Sequence, residues 1–173
     1  MARETQSILL PTLVVTPVDV SRLRREIEAL GEYLRQASLR KGGDVTPKLP
    51  KTSRMLDELA ALNKVNLLQV DERDRLDGGL LSVQHDAPVI HISFSSDPSS
   101  AFMNKIIVWF RENINPSVLL SIGLQPTIAA GCIVRTPNHY YDFSLRKRFE
   151  AQRNVLVEML QRQTGTNEVA DER

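Results

Sequence analysis

The chain contains few cysteine and histidine residues, which are common metal ligands and catalytic groups. It has one cysteine, Cys132, and three histidines among 173 residues. A single cysteine cannot form an internal disulfide. His85, His91 and His139 are too scattered to predict a metal site from their spacing. Neither a P-loop nor a G-x-G-x-x-G fingerprint occurs, so no motif predicts nucleotide binding. We therefore expect no cofactor, no metal site, no catalytic residues and no small-molecule substrate.

Long apolar runs and an excess of one charge are also missing. No stretch reaches the roughly 18 apolar residues that a membrane-spanning helix needs. The apolar residues 8–15 are too few for a signal peptide, and Pro11 interrupts them. Lys and Arg number 22 against 21 Asp and Glu, which gives a net charge of +1 and no general attraction to nucleic acid or anionic membranes. We expect a soluble, cytoplasmic protein.

The first half of the sequence predicts helices that follow an extended arm. Pro11 restricts residues 8–15 to an edge strand or an arm. Thr16, Pro17 and Asp19 are typical of a helix start. The helix that follows carries an apolar stripe that can pack internally or against a partner helix; its members are Val20, Leu23, Ile27, Leu30 and Leu34.

Glycine and proline divide the rest of this half. Gly42-Gly43 is expected to end the first helix, and residues 44–50 contain two prolines, which predicts a linker. Two short helices are expected at about 52–64 and 72–84, the second weakened by Gly78-Gly79.

The second half changes to a pattern of strands and helices. Residues 89–95 and 118–124 read as strands around a helix, which predicts a parallel pair with a right-handed crossover. Residues 131–136 predict a third strand, and residues 140–143 a hairpin arm that pairs back on it. Ser144 is expected to cap a last helix.

Several side chains of this half are expected to be buried. Two helical stripes predict core positions; they are Phe102, Ile106, Trp109 and Phe110, and then Leu145, Phe149, Leu156 and Leu160. Cys132 is expected in the core because it lies in an apolar strand. His91 alternates with two isoleucines and should face the less buried side of its strand. Gly131 predicts a bulge or a close backbone approach.

These patterns predict an α+β fold. The helical N-terminal part would hold residues 1–50, with the arm, the amphipathic helix and the linker, and residues 51–87, with the short helices. Residues 88–163 would form a domain with a small mixed sheet and a terminal amphipathic helix, and 164–173 a flexible tail.

The strongest local charge feature is the run Arg146-Lys147-Arg148, with Arg135 and Arg153 nearby. It can be a phosphate-binding patch or a solvated helix face. The second interpretation is favoured, because acidic residues are interspersed and no interleaved aromatic platform is evident. Cations near a helix start oppose the helix dipole, so an acidic neighbour is expected, either Asp142 or a partner surface.

Residues 124–149, LQPTIAAGCIVRTPNHYYDFSLRKRF, resemble the C-terminal signature of the F-type ATP synthase delta subunit, the oligomycin-sensitivity-conferring protein of mitochondria. Leu124 to Pro126 match the apolar-proline opening, and residues 128–131 stand for the glycine turn with only its last glycine kept. Residues 133–135 match the strand, and residues 142–146, DFSLR, match the step into the terminal helix. The resemblance covers about residues 88–162.

The resemblance implies a structural subunit that links the catalytic head to the peripheral stalk and keeps the head from turning with the rotor. The implied partners are a stalk helix of the b-subunit type and the alpha/beta head, with membrane contact only through the complex at the plasma membrane. The first half departs from the family, whose N-terminal domain is a six-helix bundle. Candidate partner-binding residues are Arg146, Lys147, Arg148, Arg153, Leu23, Ile27 and Leu30.

Two alternatives stay open. The E-type stalk protein of archaeal and vacuolar ATPases ends in a similar strand–turn–strand–helix pattern, but its long N-terminal coiled coil is missing here. A small α+β nucleic-acid-binding module would use Arg146, Lys147, Arg148 and Arg153 to contact phosphates, and its binding would depend strongly on salt.

Overall fold

The computed structural model describes residues 8–39, 50–128, 130–136, 138–155, 157–159 and 161. The helices are α1 (Pro17–Leu39), α2 (Arg54–Asn63), α3 (Val70–Asp86), α4 (Ser100–Asn113) and α5 (Leu145–Ala151); the strands are β1 (Val89–Phe94), β2 (Leu119–Leu124), β3 (Cys132–Arg135) and β4 (Tyr140–Asp142). The predicted α+β fold is confirmed. Five features of the sequence prediction lie outside the described residues: Gly42-Gly43, linker residues 44–49, Leu156, Leu160 and the tail 164–173.

The start of α1 is held by a reciprocal cap. The Asp19 N–H donates to Thr16 Oγ1 over 3.2 Å, and the Thr16 N–H donates to Asp19 Oδ2 over 2.8 Å. Pro17 fills the first helical position, where a missing N–H costs nothing. The predicted helix start is therefore correct, because all of its signals are local.

The second helix also starts and ends on local signals. The Ser53 hydroxyl accepts a hydrogen bond from the Leu56 N–H over 3.2 Å, which caps α2. Lys64 ends this helix in the left-handed region, with φ at 54°. Helix α3 continues through Gly78 and Gly79 despite their low helix propensity.

The strands form a mixed four-stranded sheet in the order β2-β1-β3-β4. β3 pairs antiparallel with both β1 and β4, so the predicted hairpin is confirmed. The Leu119 N–H donates to the Pro88 carbonyl (3.1 Å), and the Gln125 N–H donates to the Phe94 carbonyl (2.8 Å). Both partners advance in the same chain direction, so β1 and β2 run parallel, as predicted.

The chain divides into two compact units. The first comprises Met1–Ile90 with Ser99–Ser121, and the second His91–Pro98 with Ile122–Arg173. Helix α4 thus belongs to the same unit as α1, α2 and α3, whereas α5 belongs to the second. The division of the chain at residues 87 and 88 stays a prediction.

The first unit has a continuous apolar core. Its buried members come from all three N-terminal helices, the arm and the start of β2; they are Val14, Val20, Leu23, Ile27, Leu56, Leu59, Leu76, Leu80, Val83 and Leu119. Burial of this apolar area is the main favourable contribution to folding of the unit.

Helix α4 buries a face that shares only Phe110 with the predicted stripe, so the core prediction is correct for Phe110. Met103, Ile107 and Phe110 are buried, while Phe102 is 48% and Trp109 55% exposed. The prediction of Phe102 and Trp109 as core residues is wrong. The buried set also has the spacing of one helical face, so periodicity alone does not choose between the two stripes.

The last helix departs from prediction in the same way. Phe149 is 57% exposed, so its expected core position is wrong, and Leu145 is also exposed.

Cys132 is half-buried, which raises the pKa of its thiol. His91 is exposed, as its alternation in β1 predicted.

Residues 8–15 form no strand and follow an irregular path with a turn, in which the Val14 N–H donates to the Pro11 carbonyl over 3.1 Å. Among the residues that the structure describes, no helix combines the length and the apolar character needed to cross a membrane.

Candidate partner-binding surfaces

The basic residues predicted as a binding group begin directly after a capped helix start. The Ser144 hydroxyl accepts a hydrogen bond from the Lys147 N–H (3.4 Å), and Asp142 Oδ1 accepts one from the Ser144 N–H (2.9 Å). Hydrogen bonds from Ser144, and then the charges of Lys147 and Arg146, lower the pKa of Asp142. Asp142 is therefore the acidic neighbour that the sequence led us to expect.

The basic side chains are exposed. Arg146 pairs with Glu150 over 3.0 Å, and both side chains are largely in solvent, so the pair contributes little to stability. Lys147, Arg148 and Arg153 are exposed as well. A shallow cleft of about 260 Å³ on the second unit is lined in part by Tyr140, Asp142, Arg146 and Lys147.

Gly131 has a steric role in the turn before β3. Gly131 has φ at +96°, where side chains are strained. A Cβ at this position would collide with the Phe143 carbonyl oxygen. The Phe143 N–H donates to the Cys132 carbonyl and the Leu145 N–H to the Ala130 carbonyl, each over 2.9 Å. These contacts join the hairpin to the start of α5, and the close backbone approach predicted at Gly131 is confirmed.

An aromatic ladder runs along β4. The rings of His139 and Tyr141 lie 5.8 Å apart at 11°, and those of Tyr141 and Phe143 lie 6.2 Å apart at 13°. Tyr141 pairs with Val134, which in turn pairs with buried Ile92. Directly paired residues point to the same face of a sheet, so the ladder continues an apolar face outward to the edge strand.

The cations gather on the opposite face of β4. Side chains alternate along a strand, so Tyr140 and Asp142 point away from the ladder. The Arg135 guanidinium lies 5.7 Å from the centre of the Tyr140 ring, and Asp142 interacts with Arg146 and Lys147. The exposed rings of the ladder and these basic groups therefore do not converge on one surface.

The aromatic ladder was not predicted from the sequence. Its signal was the spacing of two between His139, Tyr141 and Phe143, which is the period of a strand.

The apolar stripe of α1 does not form a surface. Leu23, Ile27 and Leu30 are buried, and α1 packs against α3. Of the two roles that the sequence left open for this stripe, internal packing is the observed one. We therefore withdraw these three residues as partner contacts.

A groove of about 1460 Å³ lies between α1 and α3 and is lined by both charged and apolar residues. Arg24 forms a bidentate pair with Asp77, at 2.8 and 3.2 Å, and also donates to Gln84. The bonds to Asp77 raise the pKa of Arg24. Leu68 and Val70 add exposed apolar area to the wall.

The part of the chain that the structure describes contains no cluster of metal-ligating side chains. There, no group of three or more His, Cys, Asp or Glu side chains could hold a metal ion. No protein-family model matches the chain, and a search of curated proteins gives no significant match.

Proposed function

We propose that this chain is a non-catalytic subunit of an F-type ATP synthase that joins the catalytic head to the peripheral stalk. The observation that carries the proposal is the set of large exposed apolar side chains between β4 and α5. Tyr141, Phe143, Leu145 and Phe149 are all exposed there, with Phe143 at 62%. Exposed clusters of large apolar residues are typical of docking surfaces. This segment also carries the sequence resemblance.

The occupant that fits this surface is an amphipathic helix of the stalk. Such a helix would lay its apolar face on the aromatic ladder and Phe149. Arg146, Lys147 and Arg148 lie away from the ladder and would attract acidic residues of the partner during its approach, which speeds association more than it strengthens the bound state. Asp142 holds the start of α5 and so positions these basic groups.

The head side of the link is proposed for the groove between α1 and α3. Its walls carry both signs of charge, from Arg24, Arg35, Glu28 and Glu32 among others. A mixed wall of this kind favours a helix with alternating charges over a uniformly charged partner. The proposed role is mechanical: the protein resists the torque of the rotor through binding and stiffness, at the cytoplasmic side of the plasma membrane.

The first experiment is co-purification of the full-length tagged chain from its native cells. ATP synthase head and stalk subunits should be recovered with it. Their absence from a stable preparation, together with enrichment of unrelated proteins, would refute the proposal.

The second experiment compares two exposed aromatic residues. A labelled stalk peptide is titrated into the full chain carrying Phe149→Ser or Trp109→Ser. The two side chains are similarly exposed, at 57% and 55%, but lie in different units. We expect Phe149→Ser to weaken binding about tenfold or more, as for an interface anchor. Equal effects of the two changes would contradict the assignment of the surface.

The third experiment reverses the charges of Arg146, Lys147 and Arg148 to Glu. The association rate with an acidic stalk peptide should fall at low salt and lose much of its salt dependence. The dissociation rate should change little, and an unchanged association rate would show that these residues do not steer the partner.

One observation favours nucleic-acid binding as a second candidate function. The ladder His139–Tyr141–Phe143 provides exposed rings on which bases of a single strand could stack. The location of the basic groups around Tyr140, on the other face, weakens this candidate. Binding of a labelled single-stranded oligonucleotide that is lost in Tyr141→Ala and falls steeply with salt would favour it over the stalk.

A further inference from the structure

Residues 8–15 are tied to two separate parts of the first unit. On the helical side, the Leu9 N–H donates to Asn63 Oδ1 and the Asn63 amide donates to the Leu9 carbonyl, both over 2.9 Å. The Ile8 side chain packs directly over Gly79 of α3, where a Cβ would displace it. The beginning of the segment is therefore fixed to the end of α2 and the middle of α3.

The remainder of the segment is fixed to α4 and β2. Arg111 donates to the carbonyl oxygens of Leu10 (3.2 Å), Pro11 (2.8 Å) and Val14. The Leu120 N–H donates to the Val15 carbonyl over 2.8 Å. Val14 itself is fully buried in the core.

The guanidinium of Arg111 is suited to this place. Its planar fork carries five N–H donors, so one side chain can serve three carbonyl groups that the turn at 11–14 brings together. Burial lowers the pKa of Arg111 to about 10, so the group stays charged at neutral pH. Its Nε is buried without a hydrogen-bond partner among the described atoms. The Arg111 guanidinium is thus partly removed from water, and its hydrogen bonds to the three carbonyl groups hold the turn.

We infer that residues 8–15 are a strap that joins α2 and α3 to α4 and β2 in one cooperative body, with Arg111 as its positioning residue. The strap contacts α2 and α3, which precede the boundary predicted at residues 87 and 88, and also α4 and β2, which follow it. Only the use of this stiffness in a stator rests on the proposed function. The strap itself can be tested without any ATP synthase component, so the two ideas can fail separately.

The test uses the full chain with Arg111→Met and Arg111→Lys. Hydrogen exchange of the Leu120 amide reports the strap, because Val15 is its acceptor. We expect Arg111→Met to speed this exchange about tenfold or more under native conditions, as local opening becomes easier. In Arg111→Met, the unfolding transition followed by the fluorescence of Trp109, on α4, should also separate from the transition followed by helical circular dichroism.

Arg111→Lys keeps the charge but loses the fork, so we expect only partial recovery of Leu120 protection. Full recovery would overturn the role given to the guanidinium. Unchanged Leu120 exchange with coincident unfolding transitions in Arg111→Met would overturn the strap.

A neighbouring pair of glycines keeps the test decisive if Arg111→Met does not fold. Gly79→Ala would displace Ile8, whereas a Cβ at Gly78 meets no atom within 4 Å. Both changes raise helix propensity equally. We expect Gly79→Ala to speed Leu120 exchange by several-fold relative to Gly78→Ala. Equal exchange in the two variants would contradict the strap.

Discussion

Gly131→Ala should destabilise the hairpin and the start of α5. The residue has φ at +96°, and an alanine held there costs about 1–2 kcal/mol in backbone strain. The added Cβ would also collide with the Phe143 carbonyl oxygen and lie 3.1 Å from the Ser144 Cα. Both neighbours are backbone atoms that cannot rotate away, so overpacking adds about 1–3 kcal/mol. The expected total is about 2–5 kcal/mol.

Local hydrogen exchange is the appropriate assay, because a chain with two compact units need not unfold in a single step. The Phe143 and Leu145 amides, which donate to the Cys132 and Ala130 carbonyls, report the joint directly. Since each 1.4 kcal/mol changes an equilibrium about tenfold, their exchange should accelerate by roughly 30-fold or more.

Gly78→Ala is the matched control for this change. Gly78 lies within α3 and has open space around its Cα, so alanine should stabilise the helix by about 1 kcal/mol. If Gly131→Ala leaves the Phe143 and Leu145 amides as protected as in the control, the close approach at Gly131 is wrong.

Three further predictions concern stability and pH. Ile107→Ala should cost about 2–5 kcal/mol and Trp109→Ala about 1–2 kcal/mol, because Ile107 is fully buried and Trp109 is 55% exposed; urea unfolding that gives the reverse order would contradict the orientation of α4. Folding lowers the pKa of Asp142 from 3.8, so the stabilising effect of this carboxylate is full above pH 3.8 and is lost as pH falls through the lowered pKa. The NMR chemical shift of the Ser144 amide should follow this titration, and an identical titration in Asp142→Asn would disprove the cap. Arg24→Met should cost no more than about 1 kcal/mol, because the pair with Asp77 is about one-third exposed; a thermal shift corresponding to a much larger loss would show a structural role for the pair.

Local signals in the sequence were sufficient for most elements of the fold. Thr16 and Asp19 begin α1, Ser144 begins α5, and the alternation in residues 89–95 marks β1, because caps and strand periods depend on residues a few positions apart. The parallel pair and the hairpin also followed from the order of elements, since connections of these lengths leave few pairings. Gly131 was interpreted correctly because only glycine suits such a backbone.

Tertiary structure decided which faces are buried. In α4 two apolar stripes compete, and only the packing of the first unit selects the one with Ile107 and leaves Trp109 outside. The stripe of α1 could serve a partner or the core, and its contact with α3 assigns it to the core. The aromatic ladder of β4, and the location of the cations on the other face, needed the strand register.

The strap is the clearest case of information that the sequence does not carry locally. Arg111 and its acceptors in residues 10–14 are about a hundred positions apart. No pattern in either segment predicts that the two are in contact. The sequence by itself determined most of the elements and their order, because these depend on short-range chemistry. Three-dimensional packing alone decided which faces are buried, which apolar and basic side chains stay exposed, and the path of residues 8–15, because contacts between distant residues form only when the whole core assembles.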